Sequence, residues 1–213
     1  MKILEQLQSG ELIGSKKLKL ACGLKTFPKE IFDLHETLEY LDMTDNNLSE
    51  LPDDFDRLSH LKILFLSNNQ FSTFPKVLAK CKNLSMIGFR NNHIDTLEEN
   101  ALPLTTRWLI LTQNNLEVLP ESIGDLLLLQ KCMLSGNKLK YLPKRFSKCI
   151  NLELLRLSAN KLETLPLQVL PLPKLSWLAY GGNPFCEKHP SCDTVLKEIN
   201  WEKLDIKELL GEG

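Results

Sequence analysis

One spaced pattern of apolar residues repeats along almost the whole sequence, and this repetition limits the folds that the chain can adopt. The pattern is Leu-x-x-Leu-x-Leu-x-x-Asn-x-Leu-x-x-Leu-Pro, and its clearest copy runs from Leu38 to Pro52. Its asparagine recurs every 22 or 23 residues, at Asn46, Asn69, Asn92, Asn114, Asn137, Asn160 and Asn183. A unit this short cannot bury its own leucines, so the copies must stack on one another. The sequence therefore predicts one elongated domain of about eight stacked copies.

Alternation within each copy predicts a short strand with two different faces. Successive side chains of a strand point in opposite directions, so Leu64 and Leu66 face the interior while Phe65 faces outward. Each copy returns over the far side before the next strand begins, which makes the strands parallel. We expect them near residues 41–43, 64–66, 87–89, 109–111, 132–134, 155–157 and 178–180.

The asparagine of each copy is predicted to lie inside the coil, where the backbone leaves the strand. Its amide can pair with backbone groups of its own turn and of the neighbouring turn, which would otherwise be buried unpaired at a cost of ~1–3 kcal/mol each. The Leu-Pro pair that follows predicts a turn into a short helix on the far side. Two copies depart from the pattern: Cys22 stands at the asparagine position of the first, and 97–100 has no proline.

These features resemble those of leucine-rich-repeat proteins. The resemblance implies an α/β fold, a right-handed leucine-rich-repeat solenoid of about eight repeats with a parallel strand ladder on the concave face. We divide the chain into an N-terminal capping helix (1–14), the repeat solenoid (15–185), a C-terminal cap (186–208) and a short tail (209–213).

Composition narrows the partners and the compartment. The net charge of the 213-residue chain is −1, so no overall attraction to nucleic acid or to an anionic membrane is expected. No segment approaches the ~20 apolar residues needed to cross a bilayer, and residues 1–7 make a poor signal peptide. We expect a cytoplasmic monomer that binds protein, with neither nucleic acid nor membrane as partner. Export by a specialised secretion system without a cleaved signal is the alternative.

Cysteine positions agree with a reducing compartment. Cys22, Cys81, Cys132 and Cys149 occupy repeat positions that predict small buried side chains. The remaining cysteines surround His189 in the arrangement Cys186-x-x-His189-x-x-Cys192. This arrangement supplies only three metal ligands, so free thiols, a disulfide and a metal site all remain open, with free thiols favoured. No cofactor is predicted.

Outward-facing strand residues carry the functional prediction, because the fixed positions of the repeat are used by the core. Large apolar side chains recur there without any requirement from the repeat, and exposed apolar patches of that kind mark interaction sites. The predicted partner-binding residues are Tyr40, Ile63, Phe65, Met86, Trp108, Ile110, Lys131, Met133, Leu154, Arg156 and Trp177. The alternative is that this patch packs on another domain of the same polypeptide or on a symmetry mate.

Charged residues beside this patch have two interpretations. Arg90, Lys138 and Lys161 are predicted to lie along the rim, with Lys138 and Lys161 at the same repeat position. They either orient an acidic partner and speed its association or are ordinary solvated surface.

Signals of catalysis are weak. The four histidines lie on different turns, and no Ser or Cys nucleophile has a base and an orienting acid placed beside it. We therefore expect this chain not to be an enzyme.

Essentially the whole chain resembles bacterial proteins in which leucine-rich repeats precede a protein kinase domain. The resemblance rests on the N-terminal helix, on Trp108-Leu109-Ile110-Leu111-Thr112, on Leu175-Ser176-Trp177-Leu178-Ala179 and on Leu210-Gly211-Glu212-Gly213. In such proteins a Leu-Gly-x-Gly segment opens the glycine-rich loop over the ATP phosphates. This chain stops after two of the loop's three glycines and has neither the lysine strand nor the catalytic loop. The resemblance implies the recognition half of a Ser/Thr protein kinase, and a stand-alone bacterial effector that binds a host protein is the alternative.

Overall fold

A parallel sheet of eight strands runs through the chain in sequence order. The structure is a computed structural model and describes residues 2–187. Every neighbouring pair of strands is parallel. The strands are β1 (Lys17–Lys19), β2 (Tyr40–Asp42), β3 (Ile63–Phe65), β4 (Met86–Gly88), β5 (Trp108–Ile110), β6 (Lys131–Met133), β7 (Leu154–Arg156) and β8 (Trp177–Ala179). The predicted parallel solenoid of about eight repeats is confirmed.

Each strand begins one residue earlier than the pattern predicted. The middle residue of each strand is the first leucine of the Leu-x-Leu segment, as Leu64 is in β3. An outward-facing residue therefore stands at each end of the strand. The second inward residue, Leu66, lies just beyond the ladder. Its N–H still donates to the carbonyl of Gly88 at 2.7 Å, which continues the bonding between turns without a full strand pair.

Short 3-10 helices form the far side of most repeats. They span Lys29–Leu34, Phe55–Arg57, Lys76–Lys80, Glu121–Asp125, Lys144–Lys148 and Leu167–Val169. Five of these six helices follow a proline directly. Proline fixes the backbone angle and needs no hydrogen-bond acceptor, which suits a helix start. Between β4 and β5, where residues 97–100 lack the proline, no helix forms in the described structure.

The repeated asparagines join neighbouring turns, as predicted. All seven are buried, with at most 6% of their surface exposed. Asn69 shows the arrangement: its Oδ1 accepts from the Leu48 N–H of the preceding turn at 2.9 Å. Its Nδ2 donates to the carbonyl of Met43 in the preceding turn (3.0 Å) and to that of Leu66 in its own (3.1 Å). Each amide thereby satisfies backbone groups that the turn leaves unpaired.

The core is a continuous column of leucines reinforced by phenylalanines. Phe89 packs on both Phe71 and Phe74, with ring centroids 5.1 and 5.2 Å apart. Because each turn contributes the same inward positions, the core of one repeat continues directly into the next, and the outward strand positions stay outside it.

Helices lie at both ends of the described chain. Helix α1 (Lys2–Gln8) lies within the predicted capping segment and buries Leu7. Helix α2 (Pro184–Glu187) follows the last asparagine and buries Phe185. The rest of the predicted C-terminal cap, the tail at 209–213, His189 and Cys192 lie outside the described residues. Within residues 2–187, no helix is both long and apolar enough to span a membrane.

The cysteine predictions hold for three residues and fail for one. Cys81, Cys132 and Cys149 are buried, and burial raises the pKa of Cys81 and of Cys149 to about 12. Cys22, in contrast, is exposed, so the expected burial is wrong. Its assignment to the asparagine position agrees with the hydrogen bonds: the Leu24 N–H donates to Asn46 Oδ1 at 2.9 Å, as the Leu48 N–H donates to Asn69 Oδ1, and Cys22 lies two residues before Leu24 as Asn46 does before Leu48. The backbone N–H of Cys22 also donates to Asn46 Oδ1, at 3.1 Å.

Candidate interaction surface on the strand face

The outward residues of β1–β8 form two parallel columns, which together we name the strand face. Neighbouring strands are in register without offset. The first column reads Tyr40, Ile63, Met86, Trp108, Lys131, Leu154 and Trp177, and the second reads Asp42, Phe65, Gly88, Ile110, Met133, Arg156 and Ala179. Parallel strands are spaced ~4.8 Å apart, so these side chains are immediate neighbours. All the strand residues that the sequence singled out therefore share one surface.

The apolar centre of the strand face is partly rather than fully exposed. Ile63, Phe65, Met86, Trp108, Ile110, Met133 and Leu154 are all of intermediate exposure. The sequence led us to expect fully exposed side chains, but neighbours in adjacent strands cover one another's flanks. None of these seven belongs to the buried core cluster or to the residues packed against it. Only Trp177, near the end of the sheet, is largely exposed, at 58%.

Gly88 makes room for an aromatic cluster at the N-terminal part of the face. A Cβ at Gly88 would lie 2.6 Å from Cδ1 of Phe65, so the ring covers the glycine directly. The same ring meets Tyr40 edge-on, with centroids 5.9 Å apart. The absence of a side chain at Gly88 is therefore what lets the Phe65 ring occupy this position.

Asp42 is a buried carboxylate rather than an exposed charge. Only 5% of its surface is exposed, although its position is outward-facing. Its Oδ1 accepts from the Thr44 N–H at 3.0 Å, and its Oδ2 lies 3.3 Å from Lys19 Nζ. Burial alone would raise the pKa of Asp42, but the bonds from Thr44 and the Lys19 ammonium together lower it. The charge of Asp42 is therefore neutralised within the chain.

Lys131 is joined to the aromatic part of the face. Its Nζ lies 3.9 Å from the centroid of the Trp108 ring, in a cation–π contact. Lys131 and Trp108 therefore form one continuous surface at the centre of the sheet. Next to them, Arg156 is exposed and makes no ion pair with any residue that the structure describes.

The rim beyond the C-terminal ends of the strands is polar in its first half and basic in its second. Arg90 donates through Nε to Gln113 Oε1 at 3.2 Å, so it is tied to its neighbouring turn. Lys138 and Lys161 are exposed, and neither has a carboxylate partner in the described part of the chain. A ladder of side-chain bonds links Asn91 to Asn68 at 2.9 Å. Sequence analysis missed this ladder, although Asn68 and Asn91 lie 23 residues apart and each directly precedes a repeated asparagine.

Other features of the chain offer little chemistry. The histidines at 35, 60 and 93 lie on three different turns. In the range 2–187, no group of three or more His, Cys, Asp or Glu residues is placed to hold a metal ion. A cavity of about 620 Å³ lies on the helix side, against Tyr141, Lys144 and Thr164, away from the strand face.

The geometry of the repeats has a direct counterpart among known families. Residues 16–71 and 36–94 match the family profile described as Leucine rich repeat. Together with the eight parallel strands and their buried asparagines, this match decides the architecture. The fold is a leucine-rich-repeat solenoid. A leucine-rich repeat is a non-catalytic structural unit, and its outward strand residues are free for binding.

Solved leucine-rich-repeat structures are similar over three quarters or more of the chain. One is a leucine-rich-repeat protein of Leptospira interrogans, with 28% identity, a TM-score of 0.61, and coverage of 75% of this chain and 47% of that one. Another is the ectodomain of the Arabidopsis thaliana membrane receptor kinase GASSHO1/SCHENGEN3 in complex with CASPARIAN STRIP INTEGRITY FACTOR 2. Its identity is 28% and its TM-score 0.66, with coverage of 75% of this chain and 20% of that one. A third is a TLR13–ssRNA13 complex, with 29% identity, a TM-score of 0.72, and coverage of 79% of this chain and 25% of that one.

These relatives support a binding role for the fold without naming a ligand. The chain spans less than half of the length of each of the three chains. One of the three structures contains a protein factor and another an RNA, so the fold alone does not distinguish protein from nucleic-acid ligands. No curated protein matches the chain in sequence. Ligand class must therefore be argued from the side chains of the strand face.

Proposed function

We propose that the chain is a protein-recognition module that binds a partner protein on its strand face. The observation that carries this proposal is the apolar centre from Ile63 to Leu154, which contains a single cation, Lys131, and lies outside the core. A solvent-exposed strand face has no folding reason to carry tryptophan, phenylalanine and methionine. Such residues are enriched at the centres of protein interfaces, where they contribute most of the binding energy.

The character of the face favours a protein ligand over nucleic acid. Its centre has one cation, Lys131, and that ammonium already lies on the Trp108 ring. Binding to a phosphate backbone requires several free cations spread along the contact, and the apolar centre does not supply them. Exposed basic groups lie instead toward the ends of the sheet. Lys17 and Lys19 are on β1, where Lys19 is paired with Asp42, and Arg156, Lys138 and Lys161 lie near β6 and β7. A protein segment with apolar side chains at its centre and acidic residues at one end is complementary to this surface.

Affinity capture with paired variants tests the proposal. The intact chain and the double variant Phe65→Ala with Trp108→Ala are immobilised side by side and exposed to a native cell lysate. We expect a protein that the intact chain retains and the double variant does not. Both side chains lie outside the core, so the variant should keep the circular dichroism spectrum of the parent.

A matched control removes apolar surface of similar size from the other side of the chain. Val118 and Leu170 are 47% and 51% exposed and lie away from the strand face. The double variant Val118→Ala with Leu170→Ala should retain the same protein as the intact chain. Equal capture by all three chains would reject the strand face as the binding site, and recovery of RNA in place of protein would reject a protein ligand.

The wider role of the module follows from its resemblance to bacterial leucine-rich-repeat kinases. We propose that it is the recognition part of such a kinase, that it performs no phosphorylation itself, and that it works in the cytoplasm. The Leu210–Gly213 resemblance to a glycine-rich loop supports the first point. Buried thiols at Cys81, Cys132 and Cys149 fit a reducing compartment. The reading frame downstream of Gly213 decides between this role and a stand-alone effector, since only a kinase would continue into the lysine strand.

A further inference from the structure

A second apolar surface lies in the turns that lead into β5, β6 and β7. Leu104, Leu127 and Ile150 each stand four residues before the first residue of their strand, so they occupy equivalent positions. They are 68%, 54% and 52% exposed, and the adjacent Leu128 is 40% exposed. We name these four residues the rim stripe; they precede the strands, whereas the rim with Lys138 and Lys161 follows them. None belongs to the core or packs against it, so folding of this chain does not account for them.

Leu128 interrupts a hydrogen-bonding pattern that its neighbours keep. In other repeats, the residue at this position bonds to a backbone carbonyl of the preceding turn: Asn83 Nδ2 donates to Ser59 at 2.8 Å, and Asn151 Nδ2 donates to Leu127 at 2.7 Å. Leucine has no donor, and the carbonyl of Leu104 accepts no hydrogen bond from the residues that the structure describes. This leucine therefore gives up a bond between turns and adds nothing to the core, which indicates a use outside the fold.

Cations without carboxylate partners surround the rim stripe. Lys82 occupies the equivalent position in the preceding turn, while Arg107 and Lys148 are exposed on either side of the stripe. None of these three forms an ion pair within residues 2–187. Of the nearby carboxylates, Asp125 is paired with Arg145, which leaves Glu153 as the nearby acid without an ion pair in the described structure. The surroundings of the stripe are thus predominantly positive.

We propose that the rim stripe binds an acidic amphipathic helix of a partner protein. Stacked turns are ~4.8 Å apart and one helical turn rises ~5.4 Å, so a helix lying across the repeats can place one apolar side chain on each turn. Apolar residues on one face would cover Leu104, Leu127 and Ile150, and flanking acids would meet Arg107 and Lys148. A second copy of this chain is a poor occupant, since a symmetric contact would bring the same cations together.

The proposal is tested with a pair of designed peptides and the full chain. The first is an 18-residue helix with leucines on one face and glutamates on both flanks, and the second replaces each glutamate by lysine. Fluorescence anisotropy should show saturable binding of the acidic peptide, weakened by added salt, and no saturable binding of the basic one. Leu127→Ser should weaken binding about ten-fold, as expected for removing one buried leucine from a contact.

Leu128→Asn separates a binding role from a structural one. Asparagine at this position can donate to the carbonyl of Leu104, as Asn83 and Asn151 do in their own turns. We expect the variant to bind the acidic peptide about ten-fold more weakly while its melting temperature stays equal or rises. Phe65→Ala with Trp108→Ala should leave peptide binding unchanged, so failure of the strand face would not be mistaken for failure of this site.

Four results would overturn the proposal. The first is equal binding of the acidic and the basic peptides, and the second is unchanged binding by both leucine variants. The third is concentration-dependent dimerisation that Leu128→Asn abolishes, since this would make a second copy the occupant. The last is saturable binding to phosphatidylserine vesicles in the absence of any peptide binding, which would assign the stripe to a membrane surface.

Discussion

The ammonium of Lys131 lies 3.9 Å from the centroid of the Trp108 ring, across the junction of β5 and β6. The contact fixes the two side chains relative to each other on the strand face, where neither belongs to the core. Because these two side chains are already ordered, less conformational entropy is lost when a partner binds. The centre of the face is therefore organised before any ligand arrives.

Lys131→Ala should lower the free energy of unfolding by ~0.5–1 kcal/mol, because it removes the cation–π contact at a partly exposed site. The loss can be measured by urea denaturation. Lys138→Ala is the matched control: Lys138 is exposed and has no aromatic contact in the described structure, so its midpoint should be unchanged. Equal midpoints for the two variants would show that the Trp108 contact contributes nothing in solution.

Asn114→Ala should destabilise the chain by ~1–3 kcal/mol, because it leaves buried backbone groups without partners. Asn114 Oδ1 accepts from the Ile94 N–H at 3.0 Å, and its Nδ2 donates to the Phe89 carbonyl at 2.8 Å. Asn115, its neighbour in sequence, makes one long bond of 3.4 Å to His93. Asn115→Ala should therefore change the urea midpoint little, and similar midpoints for the two variants would contradict the role assigned to the buried amides.

Gly88→Ala should displace the Phe65 ring and destabilise the chain by ~1–3 kcal/mol, the usual effect of overfilling a packed site. The added methyl would lie 2.6 Å from the ring in its present place. Combining Gly88→Ala with Phe65→Ala should remove most of this loss, since the ring causes the clash. A double-mutant cycle on urea midpoints measures the coupling, and additive losses would mean that the ring does not cover Gly88.

Asp42→Asn should reduce stability at pH 6 by ~1.5–3 kcal/mol and by less at low pH, where the wild-type residue is itself protonated. The pKa of Asp42 is lowered below its ordinary 3.8, chiefly because the bonds from Thr44 and the Lys19 ammonium outweigh burial. Its charge therefore stabilises the fold fully above pH 3.8, and this contribution is lost as the pH falls through the lower folded-state pKa. Urea midpoints at pH 6 and pH 3 give the comparison. A gap between the two proteins that is the same at both pH values would contradict it.

The sequence predicted the repeat fold because its strongest signal is covalent spacing. Each asparagine lies 22 or 23 residues from the next, and every such residue is buried as expected. Short strands and proline-led helix starts follow from the same pattern. The expectation that failed in the first copy is the burial of Cys22, which is exposed because β1 is the edge strand of the sheet and no earlier repeat stacks on that copy.

The residues of the strand face could be predicted from the sequence, but their burial and contacts could not. Strand alternation identified the outward residues, and the repeat period places Lys19 beside Asp42, yet the burial of Asp42 and its bond from the Thr44 N–H do not follow from spacing. The covering of Gly88 by Phe65 likewise depends on ring orientation. The rim stripe was missed although Leu104, Leu127 and Ile150 are each 23 residues apart, so that the repeat period already places them side by side. Their exposure outside the core is apparent only in the structure.

The most direct test of the strand face is the dissociation constant of the captured partner for the intact chain and for Phe65→Ala with Trp108→Ala, by isothermal titration calorimetry. Truncating two aromatic residues at an interface centre should cost ~2–4 kcal/mol each, so a micromolar complex should become undetectable. The melting temperature of the variant must show that the fold survives, and Val118→Ala with Leu170→Ala should bind as the intact chain does. An unchanged dissociation constant for the folded aromatic variant would contradict the proposal that the strand face is the binding site.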